Sequence, residues 1–180
     1  MAALTDRHTA WQKYRHLWKT ETADPRTLLL KEGDICRRLY VIAEGCVRYW
    51  FNHDGKEISF QFSFEGDVVY SSESFRKNIP GPYSIETIEP VTLRWLSQED
   101  MQLVRQDLEL YPLLIESAVD KQAAFLRHFF SYLRDSPQQR YENLVRDQPE
   151  IVRRVPLQYI ASYLGITPVS LSRIRSRANS

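Results

Sequence analysis

Residues 157–177, LQYIASYLGITPVSLSRIRSR, decide the fold of the C-terminal part of the chain. Ile160 and Leu164 lie one turn apart on the same face of a helix. Gly165 is suited to end that helix, because glycine takes a left-handed conformation without steric cost. Thr167 is a preferred N-cap residue, so a second helix is expected directly after it. The stretch therefore predicts two short helices joined by a tight turn, the arrangement of a helix-turn-helix.

The second of these helices carries a polar and basic outer face. Leu171 and Ile174 would face back to the first helix, and no acidic residue occurs from Ile151 to the end, against five arginines. An αα-hairpin in a helical core is the alternative, but the agreement of cap, glycine, apolar register and charge favours DNA binding. The candidate DNA-contacting residues are Thr167, Val169, Ser170, Arg173 and Arg177.

Charge is distributed unevenly along the 180 residues, although the net charge of the whole chain is only +1. Residues 1–136 hold 17 Lys and Arg against 20 Asp and Glu, whereas residues 137–180 hold 7 against 3. A mildly acidic body thus carries a basic C-terminal module, which suits contact with phosphates. The length fits one large domain or two small ones.

Localisation and cysteine chemistry follow from what the sequence lacks. It has no apolar run of 18 residues and no signal-peptide core, so we expect a cytoplasmic protein without a membrane partner. Cys36 and Cys46 have no metal-type spacing and are expected to be free thiols packed as small apolar groups.

The N-terminal part changes from a helical pattern to a β pattern. Residues 7–19 place Trp11, Tyr14, Leu17 and Trp18 on one face, which predicts a short helix that Asp24-Pro25 ends. Residues 26–97 then follow a period of two, with turn residues between short runs, which predicts a small antiparallel barrel of about seven or eight strands. The runs are LLLKEGD, RRLYVIAEG, CVRYWFNHDG, KEISFQFSFEGD, YSIETIE and VTLRWLS.

Two tight connections and one alternating strand support this barrel. Asp54-Gly55 is a strong hairpin signal and Glu44-Gly45 is a second tight turn. The even-numbered residues of one run are apolar and the odd-numbered ones polar, so one face is expected to be buried. The apolar residues of that run are Ile58, Phe60, Phe62 and Phe64.

A helical pattern resumes at Ser97, which forms a capping-box signature with Asp100. Residues 98–110 predict a first helix and residues 111–134 a longer one. The longer helix has two adjacent apolar stripes, too wide for a helix that covers one surface. A homodimer helix is favoured over a helix buried inside a monomer. One stripe is Leu114, Ala118, Phe125, Phe129 and Tyr132, and the other is Ile115, Val119, Leu126, Phe130 and Leu133.

These patterns define an α+β protein of three parts. Residues 1–109 would form the N-terminal helix and a jelly-roll type (double-stranded β-helix) barrel. Residues 110–136 would form the long dimerisation helix, followed by a hinge at 136–139. Residues 137–180 would form an all-α helix-turn-helix domain that begins with a helix over 138–146.

This order of parts resembles the Crp/Fnr family of bacterial transcription regulators. VPLQYIASYLGITPVSLSRIRSR is similar to the recognition region of compact members, and LYVIAEGCVR with FEGDVVYSSESF looks like their cyclic-nucleotide-binding-type barrel. The resemblance implies a homodimer that binds a two-fold symmetric operator, with half-sites about one helical turn of DNA apart. Double-stranded DNA, a second copy of the chain, RNA polymerase and an unidentified small-molecule effector are the implied partners.

Two departures from the family bear on DNA recognition. Val169 stands where the family's recognition helix usually has a Glu, and valine can pack on a thymine methyl but cannot accept from cytosine. Arg173 matches the family's Arg and can donate to guanine. Many relatives continue with a β-hairpin wing, whereas this sequence stops at Ser180, as expected for a compact wingless type or a truncation.

The barrel lacks the expected cation for a cyclic phosphate. Arg76 and Lys77 come several residues before the position of the family's Arg, so cyclic AMP is not an expected ligand, because a buried phosphate needs a cationic partner. A different, less charged effector and a ligand-free scaffold both stay open. The candidate pocket residues are Phe64, Gly66, Asp67, Tyr83 and Ser84.

An enzyme is not expected, and neither is a metal or another cofactor. Residues 26–97 contain one histidine, His53, next to the Asp-Gly turn, so no metal set can be built from the strands. Nucleophile–base motifs, phosphate loops and dinucleotide signatures are absent from the sequence. The alternative function is a ligand-binding or protein-interaction module that has lost DNA binding.

Overall fold

The computed structural model describes residues 13–178, in which eight strands form two four-stranded antiparallel sheets. The first sheet has the order β1-β8-β3-β6 and the second has the order β2-β7-β4-β5. The strands are β1 (Lys19–Ala23), β2 (Leu28–Leu30), β3 (Arg38–Glu44), β4 (Val47–His53), β5 (Lys56–Ser63), β6 (Val68–Val69), β7 (Ser84–Thr87) and β8 (Val91–Ser97).

This strand order is that of a jelly roll, as predicted, but in the described residues the strands do not close into one barrel sheet. The chain crosses between the sheets where β3 ends and β4 begins, at the predicted Glu44-Gly45 turn. Gly45 has φ +103°, and a Cβ there would lie 2.6 Å from the Pro90 carbonyl oxygen. The turn therefore requires glycine for two reasons: its backbone conformation and the close contact with Pro90.

The predicted hairpin between β4 and β5 is confirmed. Asp54 and Gly55 have φ values of 51° and 78°, which two-residue turns of the tight hairpin type need. The side chain of Asn52 accepts a hydrogen bond from the Gly55 N–H at 2.9 Å. His53 and Lys56 close the ladder as the last pair.

The helix predicted over residues 7–19 is wrong in its described part. Residues 7–12, including Trp11, lie outside the described residues; Arg15–Leu17 is a single 3-10 turn, and Lys19 already begins β1. The β1 strand pairs along its whole length with β8. Pairing with a distant strand thus outweighed the local helical pattern.

In residues 13–178, seven α-helices follow or interrupt the strands. The capping box at Ser97 is confirmed, because Asp100 and Ser97 each bond the other's backbone N–H. The predicted helices over 98–110, 111–134 and 138–146 are found with shifted bounds, and the helix from Pro149 was not predicted. The helices are α1 (Ser72–Lys77), α2 (Gln98–Arg105), α3 (Leu110–Arg134), α4 (Pro137–Asp147), α5 (Pro149–Arg154), α6 (Leu157–Tyr163) and α7 (Pro168–Ala178).

Apolar side chains form two clusters. The larger cluster lies within the sandwich and is covered by α2 and the start of α3. The smaller cluster joins the last four helices to the sandwich through Cys46 and Phe62. Both cysteines are buried free thiols, as predicted.

One apolar stripe of α3 is left exposed. It is the second of the two stripes in the sequence, and each of its five residues is between 44% and 72% exposed. In the first stripe, Leu114 packs on the sandwich cluster and the Phe125 ring meets that of Phe60, although Phe125 and Phe129 are still 43% and 49% exposed. None of the described helices has the length and apolar character that crossing a bilayer requires.

Candidate nucleic-acid interface

The turn between α6 and α7 has the predicted geometry. Gly165 adopts φ +65°, and the Ile166 N–H donates to the Ala161 carbonyl at 2.9 Å. Ile160 and Leu164 are 2% and 1% exposed. Glycine is required at this position because an L-residue with a side chain rarely adopts such a φ value.

The start of α7 also follows the sequence prediction. The Ser170 N–H donates to the Thr167 hydroxyl at 3.1 Å, which is an N-cap. Pro168 is the first helical residue. Leu171 is fully buried and Ile174 packs against the same cluster. These contacts orient α7 with one face on α6 and the other toward solvent.

The solvent face of α7 holds the predicted DNA-contacting residues. Val169 is 62% exposed, and Thr167, Arg173 and Arg177 are exposed. Ser170 is half-buried, and its hydroxyl lies 3.0 Å from that of Thr167. No carboxylate in residues 13–178 pairs with Arg173 or Arg177. Two guanidinium groups on one face are thus available to a partner.

Residues of α3 and α4 pack against the turn between α6 and α7. A Cβ on Gly165 would lie 2.7 Å from the Tyr132 ring, and the Tyr132 hydroxyl donates to the Tyr163 carbonyl. Arg140 of α4 donates to the Leu164 carbonyl at 3.1 Å. These contacts satisfy carbonyls at the end of α6 that have no intrahelical partner.

His128 of α3 is the second contact to α6. Its ring stacks on that of Tyr163 with 3.8 Å between centroids and 5° between planes. Burial, together with the nearby charge of Arg140, lowers the pKa of His128 to about 4. The imidazole is therefore neutral at pH 7, and its buried Nε2 has no hydrogen-bond partner in the described residues.

The α6 helix covers the free edge of the second sheet. The Ser59 N–H of β5 donates to the Ser162 hydroxyl at 3.0 Å, and this hydroxyl donates to the Glu57 carbonyl at 2.9 Å. Because β5 is the last strand of its sheet, these backbone groups have no neighbouring strand. Ser162 satisfies them as a strand would, and this explains why Ser59, predicted on a polar face, is 1% exposed.

A buried arginine lies beneath α6. Arg48 of β4 is 1% exposed, and its guanidinium lies 3.8 Å from the centre of the Tyr159 ring. It donates to Glu86 at 2.7 Å and to Glu57 at 2.5 Å. Two carboxylates and an aromatic ring thus offset the loss of water around this charge.

A second ion pair joins α5 to the sandwich. Arg154 makes two hydrogen bonds to Glu65, at 2.8 and 2.7 Å, and one to Glu89. The bonds from Arg154 lower the pKa of Glu65 to about 2. One of the five C-terminal arginines is therefore neutralised within the molecule and is not available to DNA.

The five predicted effector residues do not share one environment. Asp67 accepts from the Phe64 N–H and pairs with Lys121 of α3 at 3.3 Å. The Phe64 ring instead faces Arg154. Gly66 lies in the turn before β6 and donates its N–H to the Ile42 carbonyl.

The other two effector residues point to different neighbours. Ser84 is buried and accepts from the Glu32 N–H at 3.0 Å. Tyr83 packs edge-on against Phe60 and Tyr49 in an aromatic cluster that Phe125 of α3 extends. The structure therefore joins Phe64 and Asp67 in one turn but gives Ser84 and Tyr83 other partners, and the effector pocket stays a prediction.

Three residues at the junction were missed from the sequence: Arg48, Arg154 and His128. Arg48 had a signal, because a lone cation in the strand CVRYWF is unusual unless it is paired. Arg154 and His128 had none, because their partners across the junction lie 35 or more positions away in the chain. Residues 13–178 contain no group of three or more His, Cys, Asp or Glu that could hold a metal ion.

Comparison with known protein families gives one match, which falls on the sandwich. Residues 20–107 match the cyclic nucleotide-binding domain. The matched residues cover the sandwich and α2 and end before α3, so α3 and the C-terminal helices lie outside the match. No curated protein matches the chain in sequence.

Solved structures share the fold over nearly the whole chain. FixK2 from Bradyrhizobium japonicum has a TM-score of 0.75 at 17% identity, covering 90% of this chain and 84% of its own. CLP, described as the c-di-GMP responsive global regulator of Xanthomonas campestris, has a TM-score of 0.74 at 17% identity, with 96% and 91% covered. A CooA mutant from Carboxydothermus hydrogenoformans has a TM-score of 0.71 at 15% identity, with 90% and 76% covered. At these identities the likeness establishes the fold: a jelly-roll core with C-terminal helices.

Proposed function

We propose that the chain is a sequence-specific DNA-binding transcription regulator of the Crp/Fnr type, with α6 and α7 as its helix-turn-helix and α7 as the recognition helix. The observation that carries the proposal is the outward face of α7, where Arg173 and Arg177 are exposed and have no carboxylate partner in the described residues. The buried face of the same helix is anchored by Leu171. A rigid helix with a free basic face suits the major groove.

Each exposed residue has a chemical role in this proposal. Arg173 donates to guanine O6 and N7, and Val169 packs on a thymine methyl, as base-edge chemistry allows. Thr167, Ser170 and Arg177 contact the phosphates or bases beside them. Because Val169 cannot accept a hydrogen bond, cytosine N4 is not read at its position.

The active form is a homodimer joined through α3. Its exposed stripe runs along the whole helix, from Ile115 to Leu133, and each member is nearly half exposed or more. A continuous apolar face of this size on a single chain is typical of an interface. A two-fold axis along α3 places two copies of α7 on a symmetric operator, with half-sites about one helical turn, or roughly 34 Å, apart.

The proposal also includes two partners and a division of the chain. A small-molecule effector would act through the sandwich, and RNA polymerase would be contacted at the promoter. The functional parts are residues 1–109 for sensing, 110–136 for dimerisation and 137–180 for DNA binding.

The experiment is a gel shift on duplex fragments selected from genomic DNA, with a salt titration. Because phosphate contacts release counterions, the logarithm of affinity should fall linearly with the logarithm of salt, with a slope of about −0.9 per phosphate contacted. Arg173→Ala should relax base preference at one position by roughly 1–3 kcal/mol.

Arg94→Ala is the matched control, because Arg94 is an exposed arginine on β8 of the sandwich. It removes the same charge away from α7 and should leave both affinity and base preference unchanged. Retention of DNA that does not depend on salt, or equal losses in the two variants, would contradict the proposal.

A further inference from the structure

A cavity of about 230 Å³ lies between the first sheet and three helices. Leu39 of β3 and Val68 of β6 line it on the sheet side, and α1, α2 and α3 enclose it on the others. None of the five predicted effector residues lines this cavity. Its volume lies below the range of about 300–1,000 Å³ that is usual for ligand pockets, so its occupant must be small.

The charged side chains that line the cavity are all cationic. Arg76, Arg105 and Lys121 line it, and no Asp or Glu does. Lys121 is held by the Val68 carbonyl at 2.6 Å and by Asp67 at 3.3 Å. Arg76 and Arg105 have no ion-pair partner in the described part of the chain. Two exposed guanidinium groups from α1 and α2 are thus available to an anion.

Hydroxyl groups complete the polar part of the cavity. Tyr70 and Tyr111 both line it. Burial raises the pKa of Tyr70, while the nearby charges of Arg76 and Arg105 oppose this rise. The phenol therefore stays protonated at pH 7 and can donate a hydrogen bond to an anion beside the two arginines.

The rest of the lining is apolar. Phe75 and Met101 are buried in the sandwich cluster, and Leu114 packs against it from α3. Ile115 and Val119, which belong to the stripe proposed for the dimer, continue this surface at its edge. A site with an apolar wall and convergent cations recognises a molecule that has an apolar body and an anionic head.

We infer that this cavity binds a small organic anion, with Arg76 and Arg105 on its carboxylate or phosphate group and the α3 side chains on its apolar body. Arginine suits this role because its planar fork of donors matches both head groups. The assignment goes beyond the proposed DNA-binding function and does not depend on it. Its test accordingly contains no DNA.

The test is titration calorimetry of the full chain with three probes. These are 4-phenylbutyrate, 3-phenylpropyl phosphate and the neutral 4-phenylbutanamide. Both anions share the phenylpropyl body but differ in their head group, so their relative affinities tell a carboxylate ligand from a phosphate ligand. At least one anion should bind about tenfold or more tightly than the amide, since the charge-assisted hydrogen bonds are lost with the amide.

The variant for the test is Arg76→Gln with Arg105→Gln, and the control is Arg94→Gln, outside the cavity. Both arginines of the cavity are exposed, so the double variant should fold, and its thermal unfolding verifies this. The double variant should lower the affinity for the anion about tenfold or more, whereas Arg94→Gln should leave it unchanged. The inference is overturned if neither anion binds, if the amide binds equally well, or if the double variant binds as the wild type does.

Discussion

His128 is the residue whose ionisation couples most directly to the helix junction. Its folded-state pKa of about 4 lies below the ordinary value of 6.5. The unfolded chain therefore binds the proton more readily, so the stability that neutral His128 supports is complete above pH 6.5 and is lost as the pH falls toward 4. Between pH 7 and pH 5 the loss should be about 2 kcal/mol.

This loss is measured by urea unfolding at the two pH values. His128→Phe keeps an aromatic ring against Tyr163 and should remove most of the pH dependence. His53→Phe changes a histidine whose side chain is 73% exposed and should leave that dependence intact. A wild type and a His128→Phe variant with the same pH dependence would show that this imidazole is not the group that titrates.

At Gly165, both the backbone conformation and a close contact with Tyr132 disfavour a side chain. Gly165→Ala should lower the free energy of unfolding by about 1–2 kcal/mol for the left-handed conformation and by a further 1–3 kcal/mol for the contact with Tyr132. Gly66→Ala is the matched control, because Gly66 has φ +84° and a Cβ there would have no neighbour within 4 Å. Denaturant unfolding measures both, and equal losses would mean that the Tyr132 ring moves aside freely.

At the scale of elements, α3 has to serve two surfaces. The start of one apolar stripe packs toward the sandwich, whereas Phe129 of that stripe and the whole of the other stripe are exposed. Phe130→Glu should convert the dimer to a monomer, because a carboxylate without a partner in an apolar interface is costly. Light scattering at micromolar concentration should then give a mass near 21.3 kDa, compared with twice that value for the wild type.

The control for α3 is Leu108→Glu. Leu108 is 90% exposed and lies just before the helix, so the same substitution there should leave the dimer intact. A wild-type chain that is itself monomeric at this concentration would remove the basis for a dimeric regulator.

Over the whole molecule, Arg154 ties the C-terminal helices to the sandwich. Arg154→Gln should cost roughly 1–2 kcal/mol of unfolding free energy, because the pair with Glu65 and Glu89 is only partly exposed. Arg153→Gln is the adjacent control, since Arg153 is 69% exposed and its contact with Glu150 is 3.6 Å long. Its effect should stay within about 0.5 kcal/mol. Thermal unfolding of the two variants at equal salt measures the difference.

Local signals predicted the elements better than their assembly. Asp54-Gly55, the Ser97 cap and Gly165 with Thr167 each act within a few residues, and the structure has each of them as predicted. The β1 strand was missed, because its identity depends on β8, about seventy residues away. The helical period of the sequence predicted which residues of α7 are exposed. It did not predict the contacts between the C-terminal helices and the sandwich, since an ion pair such as Arg154–Glu65 has no local pattern.

The covered edge of β5 has a consequence for the chain's behaviour in solution. Ser162 occupies backbone groups that otherwise present an open template for another strand. Proteolytic removal of residues 157–178 would uncover this template, and exposed sheet edges invite pairing between copies. The helices proposed to read DNA therefore also cover the open edge of the sandwich, so that their removal would affect DNA binding and resistance to aggregation together.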